Sequence, residues 1–490
     1  MASYFSSVSS NSMPAGASRR RPMLWIAGLA LATLAAMAGF YELSSDQAIS
    51  IMLVGSIFFA LIYFVVSAAP SQELRSRNLV FALWWVLLGS EEVFSYVTDD
   101  AQTGFSSGAY SEAMIWAFVA FVFLIYTYRH SAYLRTLFSG SYKWVSWFGV
   151  MCLLSCAYAE DPKFSLAWII KLFLAILLLG ACNEEIKGGD DLRTFLKSSQ
   201  WALAFMVSVP LVRLISDLDV LATGRLYDVG TAPTVLSVDA GLLVLYSLML
   251  SQSGKHVARN IFMFLGLTVM LLAGGKTGIL GCIVSSIAFF ILQGRFKAAA
   301  RFVLILVVVA GILLAFTPLG TYLKFYVASG QAESVTGRSE VWAAGWQLIK
   351  GKIILGRGFM SSRFLSYKIN VDWMPNHLHN GFLEVMYDNG LIGLGVILMM
   401  QGWLVRNLIG VMRAVANTNP LHQLAVGCFA VYLDIFINGM VSRTFGSRPD
   451  GTFMILFSLV FVSDRLFAAA KKKAEVREMP AWQLASAPAQ

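Results

Sequence analysis

The sequence predicts an all-α polytopic integral membrane protein, with about 12–14 transmembrane helices and one long loop outside the cytoplasm. Three observations predict it. Of 490 residues, 57% are hydrophobic and only 13% are charged, a balance that no water-soluble chain of this length needs. Apolar stretches long enough to cross a hydrocarbon core of about 30 Å recur along the chain. Lys and Arg, which resist translocation, cluster on alternate connections between those stretches.

Taken in order, the spans fall near 23–41, 48–68, 79–97, 113–128, 144–159, 164–182, 198–215, 232–250, 257–273, 277–293 and 300–317, then 391–411, 421–440 and 452–469. Residues 1–22 are Ser-rich, polar and too hydrophilic for a signal-peptide core, so they form a disordered cytoplasmic N-terminus ending in Arg19, Arg20 and Arg21. With that end inside, one side collects Arg75, Arg77, Arg129, Arg135, Lys143, Lys187, Arg193, Lys197, Lys255, Arg259, Arg295, Lys297 and Arg301, then Arg406, Arg413 and Lys471 to Lys473. Both termini are therefore cytoplasmic, and the net charge of +9 reflects topology and anionic lipid rather than nucleic acid. The domains read as 23–317 for the first eleven helices, 318–390 for the loop, 391–469 for the last three helices and 470–490 for a cytoplasmic tail.

The loop breaks the charge rule, since Lys324, Arg338, Lys350, Lys352, Arg357, Arg363 and Lys368 lie on the translocated side and suggest an anionic ligand. SEVWAAGWQLIKGK reads as an amphipathic helix with Trp342, Trp346 and Ile349 on one face, ended by Gly351. Snorkelling at the membrane surface accounts equally well for Lys350 and Lys352. Arg338 precedes that helix at the positive end of its dipole, where a cation needs a reason. In HLHNGFLEVMYDNG, Asn380 can cap a short helix carrying Glu384 and Asp388, and Asn389-Gly390 breaks it before the next span. His379 then stands at a helix entrance near the membrane, suited to take a proton near neutral pH.

His377 and His379 could also hold a metal, but His130, His256 and His422 fall on the cytoplasmic side, so no third ligand is in reach and no metal is expected. Cys152, Cys156, Cys182, Cys282 and Cys428 lie in or beside spans and read as packing residues. GGKTG around Lys276 is not a phosphate loop, because Met270 stands where that motif needs Gly. Asp434 lies inside a span, where an ionisable group is expensive and marks either a functional site or a pair within the bundle. For Glu91, Glu92 and Lys171, pairing between helices suffices. Gly390, Gly393 and Gly395 read as sites of close helix packing.

GRSEVWAAGWQLIKGKIILGRGF followed by HNGFLEVMYDNGLIGLG resembles the O-antigen ligase and Wzy-type polysaccharide polymerase family, and SCAYAEDPKFSLAWIIKLF resembles its paired spans joined by a short outer turn. The resemblance covers roughly residues 145–460. It implies a fold resembling a GT-C-type glycosyltransferase in the bacterial inner membrane with a periplasmic active site. It also implies transfer of sugars from an undecaprenyl-diphosphate-linked oligosaccharide to an acceptor glycan, without cofactor, metal or nucleotide sugar. By position, His379 matches the favoured base, Arg338 the loop arginine that engages the diphosphate, and Lys276 a cation that many members carry as Arg. Arg225 matches a second outer-loop arginine less closely, and Asp434 an acidic residue in a late span, expected to be catalytic with His379. His377, Asn380 and Glu384 stand as supporting residues.

On this reading a sugar hydroxyl attacks the anomeric carbon while diphosphate departs, which needs one base and fixed cations. The first choice is a polymerase of exopolysaccharide or O-antigen repeat units, inverting, with membrane lipids and a chain-length regulator as further partners. The alternatives are a ligase acting on lipid A core and, in another class, a lipid-linked oligosaccharide flippase.

Overall fold

The computed structural model describes residues 71–90, 107–216, 226, 232–251, 256–316, 338–368, 377–442, 444–446 and 449–478. The chain divides into two units, 1–64 and 65–490, and every described residue belongs to the second. The expected spans near 23–41 and 48–68, together with Glu91, Glu92, Lys255 and Arg225, lie outside the described residues.

Thirteen α-helices and no strand occur among the described residues. They are α1 (Gln72–Ser90), α2 (Ser107–Arg129), α3 (Lys143–Ser155), α4 (Pro162–Glu185), α5 (Gly189–Ser216), α6 (Pro233–Met249), α7 (His256–Ala273), α8 (Lys276–Leu292), α9 (Phe296–Phe316), α10 (Arg338–Lys350), α11 (Gly381–Ala414), α12 (Pro420–Gly439) and α13 (Gly451–Glu478). By length and composition α4, α5, α11, α12 and α13 can each cross a membrane. At 17 residues α6 and α8 fall just short, since 1.5 Å per residue gives them about 26 Å. The span expected over 144–159 is a 13-residue helix, α3, extended by the 3-10 turn Cys156–Tyr158. The protein is an all-α, multi-pass membrane protein.

Local chemistry sets several helix starts. Asp161 Oδ1 accepts the amides of Lys163 and Phe164 at 3.0 Å each, with Pro162 in the first turn of α4. Asn419 does the same for α12 through Leu421, ahead of Pro420. Inside the bundle α6, α8 and α12 pack on one another, and α11 packs on α13, α12 and α3. Gly241 and Gly281 let α6 and α8 approach Asp434 of α12, where a Cβ at Gly281 would overlap the carboxylate. Lys171 is fully buried, its Nζ 4.0 Å from the Trp116 ring and 5.1 Å from Trp168, so the charge is held between α2 and α4 by aromatic faces. All five cysteines are buried and free.

The loop is folded onto the end of the bundle. Val341 and Ile349 of α10 join Leu365, Leu378, Met386 and Tyr387 in one apolar cluster. Burying each aliphatic side chain there contributes about 1.5–3 kcal/mol. The inward face of α10 is therefore Val341, Gly345 and Ile349, so of the face Trp342, Trp346 and Ile349 read from the sequence, Ile349 turns inward. Trp342 is partly buried and donates Nε1–H to Leu378 O at 2.8 Å, whereas Trp346 stays exposed.

The boundary expected at 390 appears as a kink inside α11, where Gly390 alone is non-helical, at φ 65° and ψ −164°. The opened backbone pairs with the Ile353–Gly358 turn. Arg357 N–H donates to Tyr387 O and Gly358 N–H to Asp388 O, both at 2.8 Å, while Leu391 N–H donates to Ile353 O at 2.8 Å. A Cβ on Gly390 would overlap the Ile354 carbonyl and one on Gly356 the Asp388 carbonyl. Close approach explains Gly390, but the approaching group is the loop's own backbone. Gly395 has open space around it, so helix packing does not explain that residue.

The same turn is fastened to the α3–α4 connection. Ser155 Oγ accepts the Phe359 amide at 3.0 Å, Ser165 Oγ donates to Phe359 O at 2.6 Å, and Ser361 Oγ accepts the Glu160 amide at 3.1 Å.

Candidate functional site

The turn His377–Asn380 enters α11 under strain. His379 has φ 51°, a left-handed conformation that costs a non-glycine residue about 1–3 kcal/mol and concentrates at functional sites. The conformation aims its N–H at His377 Nδ1, 3.1 Å away, and lays the two imidazoles together with centroids 3.8 Å apart. Because Nδ1 of His377 accepts, a neutral ring there carries its proton on Nε2.

Glu384, fully buried one turn into α11, accepts the Leu378 amide at 3.1 Å and lies 3.6 Å from His377 Nδ1. Asn380 caps α11 by accepting Leu383 N–H at 3.0 Å. Asp388, the other carboxylate expected on this helix side, is turned away into the loop, where it accepts from Ser362 N–H at 2.7 Å and Ser362 Oγ at 3.1 Å.

Asn380 and Arg338 converge on the end of α12. Asn380 Nδ2 donates to Met440 O at 2.8 Å, and Arg338 Nη1 donates to Val441 O at 2.6 Å. Met440 is the C-cap of α12, so both side chains serve carbonyls at or just past a helix end, where donors are scarce and positive charge is favoured. This is the reason for a cation at the start of α10: it faces the negative end of another helix.

Other loop cations serve the fold. Arg357 Nη2 donates to Leu348 O at 3.0 Å near the end of α10, with its guanidinium 5.5 Å from the Tyr387 ring centre, and Lys368 pairs with Glu160. They qualify the expectation that the seven cations together mark an anionic ligand.

Lys276 opens α8 and is exposed, after the tight turn at Gly274 and Gly275. Its helix packs against α6, and Ser237 Oγ donates to Gly275 O at 3.1 Å. Arg225 is outside the described residues, but its neighbour Leu226 donates to Leu272 O at 2.9 Å, so the chain next to Arg225 runs beside the end of α7. Asp434 is fully buried between Gly241, Gly281 and Asn438, whose Nδ2 donates to Asp434 Oδ1 at 3.2 Å. Its Oδ2 has no hydrogen-bond partner among the described residues. The structure thus gathers His377, His379, Asn380, Glu384 and Arg338 at the end of α12, and seats Asp434 inside the bundle on that same helix. Six residues, about 9 Å of helix, separate Asp434 from Met440.

What sequence reasoning missed is the α12–α13 connection. Its Phe445 is buried against Phe382, centroids 4.8 Å apart, and Gly446 at φ 129° passes close to Gly381 O. A signal existed: VSRTFGSRPD puts two arginines on a connection that the charge rule assigns to the outside. Arg443 and Arg448 themselves are outside the described residues. Among the described residues no three His, Cys, Asp or Glu side chains converge as a metal-binding set.

Residues 261–398 match the family model described as O-antigen ligase. The matched region runs from α7 into α11, takes in Lys276, Arg338, His377, His379, Asn380 and Glu384, and leaves out Arg225 and Asp434. The match supports the O-antigen ligase/Wzy family for this chain. No curated protein matches the sequence.

Proposed function

We propose, proceeding from that family match, that the protein is a glycosyltransferase of O-antigen or exopolysaccharide assembly that takes its glycan from undecaprenyl diphosphate at the periplasmic face of the inner membrane. The observation that carries the reading is the convergence of Arg338 and Asn380 on the adjacent carbonyls of Val441 and Met440. It holds the strained His379 turn and a guanidinium on one helix end.

In the reaction, a hydroxyl of the acceptor sugar gives its proton to His379 as its oxygen bonds to the anomeric carbon. The bond from that carbon to the diphosphate oxygen breaks, and the electron pair leaves with the diphosphate, which Arg338 and Lys276 stabilise, with Arg225 as a third candidate. One direct displacement inverts the anomeric configuration. Glu384 fixes the backbone of the histidine turn, and His377 packs the ring of the base. Asp434, expected as catalytic, is read as a positioning residue, since its described contacts are with α6, α8 and Asn438.

Polymerisation of repeat units is the first reading. Ligation to lipid A core is the second, favoured by the description of the matching family. Gel analysis of surface polysaccharide after deletion separates them: core capped with single repeats marks a lost polymerase, and free polymer lacking lipid A marks a lost ligase. A flippase would leave glycosidic bonds intact in detergent and need a sealed membrane, so an unconsumed donor with the purified protein overturns the transferase reading.

A further inference from the structure

At the end of the bundle opposite the loop lies a cleft of about 460 Å³, within the range of small-ligand sites. It opens between the start of α1, the end of α2 and the end of α4. The 24 residues of α4 place it about 36 Å from the Asp161 cap beside the loop, so it belongs to the other leaflet.

Its floor is polar and ordered. Tyr126 Oη donates to Glu185 Oε1 at 2.7 Å, the Tyr126 ring stacks on His130 with centroids 4.9 Å apart, and His130 Nε2 is 3.3 Å from Ser76 Oγ. Three carboxylates, Glu73, Glu184 and Glu185, line it together with Arg129 and Lys187. Lys187 pairs with Glu184 at 3.1 Å, whereas Glu73 and Arg129 form no ion pair among the described residues. The cleft therefore presents one uncommitted anion and one uncommitted cation, and suits a ligand carrying both charges.

One wall is amphipathic: Ala132 and Tyr133 line the cleft, and their 3-10 helix, Ala132–Phe138, leaves α2 at 104° with Leu134 and Phe138 exposed. A segment crossing the helix direction with apolar side chains outward lies along a membrane surface. We propose that the cleft binds a glycerophospholipid whose zwitterionic headgroup ends in a primary amine, with the amine on Glu73 and Glu185, the phosphate on Arg129, and the acyl chains along Leu134 and Phe138.

The chemistry selects among headgroups. A quaternary ammonium donates no hydrogen bond to the carboxylates, and the Tyr126 face it would use is covered by His130. A purely anionic headgroup meets a cleft whose three carboxylates outnumber its two cations, Arg129 and Lys187, and leaves Glu73 without a partner.

The test is native mass spectrometry of the full-length protein extracted from vesicles of equimolar phosphatidylethanolamine, phosphatidylcholine and phosphatidylglycerol. Phosphatidylethanolamine should be retained at least about tenfold over the others, a difference of about 1.4 kcal/mol. Glu73→Gln with Arg129→Ala should abolish that preference, and Arg413→Ala, at the same end but outside the cleft, should keep it. The lipid should also raise the thermal midpoint of the wild type and not of the double variant. Equal retention of the three lipids, an unchanged preference in the double variant, or displacement of the lipid by millimolar soluble phosphoethanolamine would overturn the proposal.

Discussion

Arg338 and Asn380, 42 positions apart in sequence, donate to neighbouring peptide carbonyls, Val441 and Met440, at the end of α12. The cation that begins the loop helix and the cap that follows the histidine turn are thus tied to one rigid helix end. Moving either should disturb the other, which makes the pair testable by substitution.

Arg338→Lys should reduce turnover at least about 100-fold, a barrier increase of about 2.7 kcal/mol, because an ammonium cannot bond Val441 O and present a planar fork to a diphosphate at once. Polymer formed by the purified variant from a lipid-linked donor is the readout. Turnover within about threefold of wild type removes Arg338 from the leaving-group site.

His379 carries two separable properties, its imidazole and its left-handed backbone. His379→Ala should abolish transfer with near-normal abundance. His379→Gly should also be inactive, yet unfold at a midpoint no lower than His379→Ala, since glycine adopts φ 51° without a steric cost. Activity surviving in either variant rejects the base assignment.

Glu384 is buried and accepts the Leu378 amide. Glu384→Gln keeps an acceptor and should fold. Glu384→Ala leaves a buried N–H unpaired and should cost about 1–3 kcal/mol. Thermal unfolding in detergent compares the two, and equal midpoints would show that the bond does not hold the turn.

Gly390→Ala should lower stability by about 2 kcal/mol or more, because it adds a Cβ against the Ile354 carbonyl at a positive φ. Gly395→Ala, with open space around the glycine, should be neutral or slightly stabilising. The difference in thermal midpoint measures how far the loop depends on the kink.

Much of the fold was legible because membrane helices announce themselves by composition, and because caps are local. Asn380 and the Asn389-Gly390 break both act within a few residues of where they stand. Val441, whose carbonyl Arg338 bonds, lies 103 residues away just past the end of α12, and no local pattern encodes that contact. The buried face of α10, Val341, Gly345 and Ile349, is not legible locally, since aromatic residues mark an interface without saying whether lipid or protein fills it. Gly390 looked like a packing glycine because the backbone that crosses it, Ile353 to Gly358, comes from an earlier part of the loop. Asp434 was flagged by its charge in a span, but its neighbours Gly241 and Gly281 become visible only once three helices meet.

The central claim is that the strained histidine at the mouth of α11 removes the acceptor proton while fixed cations hold the departing diphosphate. Its most direct measurement is single-turnover consumption of a purified polyprenyl-diphosphate-linked glycan in detergent with chelator present, comparing wild type with His379→Ala. Rapid release of polyprenyl diphosphate by the wild type, and none by an equally folded variant, is the expected result. Equal rates from the two proteins, or loss of wild-type activity to the chelator, would contradict it.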